Sequence, residues 1–145
     1  MHLNRFSTIL FLSLFFISTM TNAADGFEAA HKVVIQVSSA DPAVHRLAIG
    51  NAVNLQKHYG LDNIQIELVA YGPGLSMLIA GNPNAKRISS LMDQDISFSA
   101  CGNTMKTIKR KTGKTPVMIK GVGVVTAGLS RLIELQEQGY AYVKP

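Results

Sequence analysis

The chain has 145 residues, 47% apolar and 16% charged, with a formal net charge of +5 and one cysteine, Cys101. That length excludes a two-domain enzyme with separate cofactor and substrate domains. A single thiol excludes an intramolecular disulfide scaffold. With no Trp, and four of the six Phe in the first sixteen residues, an aromatic sugar platform or base-stacking surface is not expected.

The N-terminus reads as a targeting segment. Arg5 precedes an apolar run from Ile9 to Ile17, and Thr21-Asn22-Ala23 places small residues at −3 and −1 of a cleavage point. This is the order of a secretory signal peptide. The run is also far short of the roughly 20 residues that a spanning helix needs. The sequence therefore predicts a signal peptide over 1–23, a tether over 24–30 and one domain over 31–145. The protein is expected in the periplasm or secreted, without a membrane contact once the leader is removed. No Cys stands near the cleavage point, so a lipid anchor is not expected.

From His31 onward strand and helix signals alternate. Val33–Val37 is a β-branched run of the kind buried on both faces of a parallel sheet. Asp41 and Pro42 then open a helix as N-cap and first helical residue. Val44, Leu47, Ala48, Ala52, Leu55 and Tyr59 supply its expected apolar stripe, and Gly60 its stop. Ile64–Ala70 is the second strand. Tyr71-Gly72-Pro73-Gly74 turns into a short helix over Leu75–Ala80, and Asn82-Pro83-Asn84 starts another with Ile88, Leu91 and Met92 inward. Ile96–Ala100 is the third strand, followed by a basic helix to about Lys111. Val122–Thr126 reads as a fourth strand. Leu129 to Leu135 marks a helix ending at Gly139, and Tyr140–Val143 is a last strand at the sheet edge.

Such alternation predicts an α/β fold: a three-layer α/β/α sandwich around a mostly parallel sheet of about five strands. The C-terminal ends of the first four strands would share one edge, where open α/β sheets bind ligands. That edge collects Ser38-Ser39, Tyr71 to Gly74, Cys101 to Thr104, and Thr126-Ala127-Gly128.

Cys101 is the candidate catalytic residue. It ends a strand and precedes a helix, whose N–H groups and partial positive charge favour a thiolate. The candidate binding residues around it are Ser38, Tyr71, Gly72, Pro73, Gly74, Gly102, Asn103 and Thr104. His45, in the first turn of the first helix, is a candidate thiolate partner, although a surface position is its ordinary expectation. Lys106, Lys109, Arg110, Lys111 and Lys114 form an acid-free basic run. A solvated helix face is the simpler reading of that run, and a partner-docking face the alternative. The remaining histidines lack metal-ligand spacing, and neither a dinucleotide nor a phosphate loop is present, so no metal or cofactor is expected.

Three segments carry a resemblance. Val69-Ala70-Tyr71-Gly72-Pro73-Gly74, Phe98-Ser99-Ala100-Cys101-Gly102-Asn103-Thr104, and Gly128 to Pro145 with its Leu135-Gln136-Glu137-Gln138-Gly139-Tyr140-Ala141-Tyr142 ending resemble the DsrE/DsrF-like family, in its small exported members. The resemblance spans about His31 to Pro145. It implies a compact parallel-sheet sandwich, often assembled into oligomers. In the sulfur-relay relatives a Cys after the third strand accepts sulfane sulfur as a persulfide and passes it on, and Cys101 matches that position. Those relatives act in the cytoplasm, whereas the leader here predicts export. The function expected from the resemblance is a sulfur carrier holding a persulfide on Cys101, with a sulfur-donor or thiol partner protein and self-association into a homo-oligomer. The alternative is a noncatalytic small-ligand or partner-binding module in which Cys101 is structural. A nucleic-acid partner is not expected.

Overall fold

A computed structural model describes residues 29–145. The expected leader over 1–23 and most of the tether over 24–30 lie outside the described residues.

Five strands form one wholly parallel sheet: β1 (His31–Val37), β2 (Ile64–Ala70), β3 (Ile96–Cys101), β4 (Gly123–Val125) and β5 (Ala141–Val143). Their order across the sheet is β4-β3-β2-β1-β5. Four α-helices connect them: α1 (Pro42–Tyr59), α2 (Ala85–Met92), α3 (Gly102–Thr112) and α4 (Gly128–Glu137). Two 3-10 segments, Leu61–Asn63 and Gly72–Leu78, complete the chain. The expected α/β sandwich in a single domain is what forms. The last strand is an edge strand of its own sheet, paired with β1 from Val33↔Ala141 to Ile35↔Val143.

The two faces of the sheet are covered unequally. On the first face, Ile35, Ile66, Leu68, Phe98 and Ala100 meet Ala48, Ile49 and Ala52 of α1, Leu75 and Leu78 of the 3-10 segment, and Ile88 of α2. Met105 and Ile108 of α3 lie against this core without being fully buried. On the second face only α4 covers the sheet. There Val34 and Val69 meet Leu132 and Leu135, with Tyr71 and Tyr140 at the margin.

That asymmetry follows from strand order. β1 to β4 step one way across the sheet, so their connections fall on one face. The path from β4 to β5 returns the other way and puts α4 on the opposite face.

Beside the small second core lies a partly buried ion pair. Glu67, 5% exposed on β2, accepts from Arg131 Nε at 2.9 Å and Nη2 at 2.7 Å, and from Ser99 Oγ at 2.6 Å. The hydrogen bonds that Arg131 donates to Glu67 hold its guanidinium above its already high ordinary value. All three groups are paired, as burial of charge requires.

Three local expectations are corrected. The buried stripe of α1 is His45, Ala48, Ile49, Ala52 and Gln56, while Leu47 is 52% exposed. The helix is thus turned from the expected stripe, and it buries two polar side chains because both find partners. Gln56 Nε2 donates to the Gln94 carbonyl at 2.7 Å, and His45 Nε2 to that of Ser39 at 2.7 Å. His45 is accordingly buried, not on the surface. The short helix expected over Leu75–Ala80 begins earlier and is 3-10 in form. Gly72 and Pro73 start it, and the chain then leaves in extended form to bridge Ile79 with Met118.

Candidate functional site

β3 and β4 are neighbours whose outgoing connections diverge. After Cys101 the chain enters α3 on the first face, whereas after Val125 it enters α4 on the second. Diverging connections of this kind leave a crevice at the C-terminal ends of the strands. Cys101 stands in that crevice, opposite Val125 in the register of the sheet.

Cys101 is 5% exposed. Cys101 is the N-cap of α3, and no hydroxyl or carboxylate caps either α3 or α4. The Thr104 hydroxyl and the N–H groups of Gly128, Thr104 and Asn103 face the sulfur instead. Two of those N–H groups belong to the first turn of α3 and one to the first residue of α4, so two helix N-termini converge on one atom. Burial is the largest single influence and pushes the thiol up. The four hydrogen bonds together outweigh it, and the thiol lies below its ordinary value. Hydrogen bonding to the charged form wins over desolvation here.

Several predicted residues build this arrangement. Gly72 N–H donates to Thr104 Oγ1 at 2.9 Å, which leaves the Thr104 proton free to point at the thiolate. Asn103 N–H also donates to the Thr126 carbonyl at 3.1 Å and ties α3 to the strand before α4. A methyl group at Gly102 would stand 3.0 Å from the Val125 carbonyl. Tyr71 N–H bonds Val37 O at 3.1 Å and continues the β1–β2 pairing by one residue. Gly74 is fixed by contact: a Cβ there would lie 2.2 Å from the Val37 carbonyl oxygen. It holds the Tyr71–Gly74 turn flat against the end of β1. Pro73 is exposed at the rim.

Two predicted residues have other partners. Ser38 Oγ accepts from Gln36 Nε2 at 3.1 Å, and Gln36 in turn accepts from the Tyr142 hydroxyl. His45 points its Nε2 at Ser39 O. Neither acts on the Cys101 sulfur, whose influences come from Thr104, Gly128 and Asn103.

The site residue missing from the expected set is Gly128. Its N–H faces the sulfur, and a Cβ on it would stand 2.9 Å from Tyr71 Cβ and 3.3 Å from Cys101 Cβ. Its place in Thr126-Ala127-Gly128, at the same sheet edge as Cys101, was the available signal. Chemically, the arrangement favours a thiolate, or any anion on the sulfur, in a shielded place.

The fold has known relatives. The DsrE/DsrF-like family matches residues 31–145, which is the whole sheet and all four helices. The chain belongs to the DsrE/DsrF-like family. Among solved structures, the DsrE-like chain is similar to a protein of unknown function, MTH1491, from Methanobacterium thermoautotrophicum. The two are 29% identical with a TM-score of 0.72, over 79% of this chain and 99% of that one. No curated protein matches.

Proposed function

We propose that this DsrE-like protein is a sulfur carrier whose Cys101 thiolate accepts sulfane sulfur and surrenders it to a partner thiol. The observation that carries the reading is the set of four donors, from Thr104, Gly128 and Asn103, around one shielded sulfur. They stabilise the attacking thiolate, and equally the terminal anion of a persulfide.

The first step breaks the S–S bond of a persulfide donor, R–S–SH. Cys101 thiolate attacks the outer sulfur, a Cys101–S–SH bond forms, and the electron pair leaves on the donor thiolate. In the second step an acceptor thiolate attacks the outer sulfur of Cys101–S–SH and releases Cys101 thiolate. Donor and acceptor balance, so no external oxidant or reductant is needed. The chain has no second cysteine, so both other thiols come from partners. Gly72, Pro73 and Thr104 line the groove that leads to the thiol. The leader-like residues 1–23 make the periplasm or the exterior our preferred location, with self-association a further expectation of this reading.

Exposure to inorganic polysulfide followed by intact-protein mass spectrometry tests it. A gain of one sulfur on Cys101, reversed by a thiol reductant, is expected. An unmodified protein, from a preparation whose denatured Cys101 alkylates readily, would overturn the proposal and favour a binding module with a structural thiol.

A further inference from the structure

The first face carries a second feature, independent of the thiol. From Ile96 to Ile133 the sequence contains no Asp or Glu, yet Lys106, Lys109, Arg110, Lys111 and Lys114 stand exposed on α3 and the loop after it. None of the five has a carboxylate partner among the described residues. α3 also has no buried side chain, which is unusual for a helix covering a sheet.

Each flank of α3 is a groove with mostly apolar walls. One, of about 340 Å³, runs between Pro73 and Ile79 on one side and Ile108 and Lys111 on the other, and reaches Gly72 and Thr104 at the thiol site. The other, of about 290 Å³, lies between Met105, Lys106 and Lys109 and the exposed edge residue Val124, and ends at Gly102. Both grooves thus lead to the N-terminus of α3, and both have lysine at the rim.

We propose that α3 and its two grooves are the docking surface for an acidic, apolar polypeptide segment of the partner that exchanges sulfur with Cys101. The inference rests on the carrier reading for its purpose, but not for its geometry. Carboxylates would meet the five cations, and apolar side chains would enter the grooves. A second copy is a poorer occupant. The chain is net cationic, and the acids on its α4, Glu134 and Glu137, are few, with Glu134 already 3.7 Å from Arg131. A phosphate backbone or lipid surface would meet the cations but leave the apolar grooves unfilled.

The probe is a synthetic helical peptide with Leu at i, i+3, i+4 and i+7 and Glu at the intervening positions, followed by fluorescence anisotropy. A matched peptide with Lys for Glu is the control. The acidic peptide should bind, the basic one should not, and Lys109→Glu with Lys111→Glu should weaken binding roughly ten-fold or more. Val124→Ser should weaken it less while leaving the circular dichroism spectrum unchanged. Cys101→Ser should bind the peptide as the wild type does. The double Lys variant should still load sulfur from inorganic polysulfide, so a failed carrier and a failed docking surface give different patterns. Equal binding of both peptides, no binding, or a preference for phosphatidylglycerol vesicles or an oligonucleotide over the acidic peptide would overturn the proposal. So would sedimentation showing that the same Lys variant dissociates an oligomer of this chain.

Discussion

The two faces of the sheet divide the labour of this molecule. The first face is an apolar core built from two helices and a 3-10 segment, with a third helix lying partly exposed on it. The second face has a single helix, four fully buried apolar side chains and a partly buried ion pair. Cys101 sits at the C-terminal end of β3, where the N-termini of α3 and α4 converge. Stability is concentrated on one face, while the polar groups that can serve chemistry are at the boundary with the other. The lesson is that a return crossover does two jobs. It closes the second face, and it brings a second helix N-terminus to the end of β3.

The largest expected effect lies on the first face. Leu75 and Leu78 are fully buried, and truncating either to Ala should cost about 3–5 kcal/mol in urea denaturation. Leu132→Ala on the thinner second face should cost less, about 2–3 kcal/mol, because fewer neighbours surround the void. Equal costs would break the comparison.

Arg131→Leu strands the buried Glu67 carboxylate with only Ser99 as partner. It should cost roughly 3 kcal/mol, and adding Glu67→Leu should restore most of that. If the double variant is no better than the single, the pair is more than a satisfied charge.

Gly128→Ala probes the boundary itself. The added methyl collides with Tyr71 and crowds Cys101. It should cost about 1–3 kcal/mol, and it should raise the thiol pKa by moving one N–H away.

The smallest effect is Thr104→Val. It removes the hydroxyl donor to the thiolate and the acceptor for Gly72 N–H, at about 1–2 kcal/mol. A thiol lowered in the folded state stabilises the fold fully above its unfolded pKa. That contribution is lost as pH falls through the folded one. The wild type should therefore gain on Cys101→Ser as pH rises through that window, and Thr104→Val should gain less.

Much of this was legible in the sequence. The β-branched runs of β1 and β2 and the caps Asp41 and Gly60 mark their elements by local chemistry alone. Cys101 was placed at the right edge because periodicity puts it at a strand end. What escaped depends on contacts distant in sequence. Glu67 and Arg131 are 64 residues apart, and no spacing rule joins them. Gly128 faces Cys101 only because α4 leaves on the opposite face. In α1, Gln56 and His45 look like surface residues until the Gln94 and Ser39 carbonyls are in place to receive them.

The donors from α3 and α4 favour the thiolate form of Cys101. The direct measurement is the rate of iodoacetamide alkylation of Cys101 against pH, in the folded protein and in Thr104→Val. The account predicts half-maximal reactivity at a pH below that of a free thiol, moved back upward in Thr104→Val. A folded protein whose Cys101 titrates as a free thiol or higher, with no change in Thr104→Val, would contradict it.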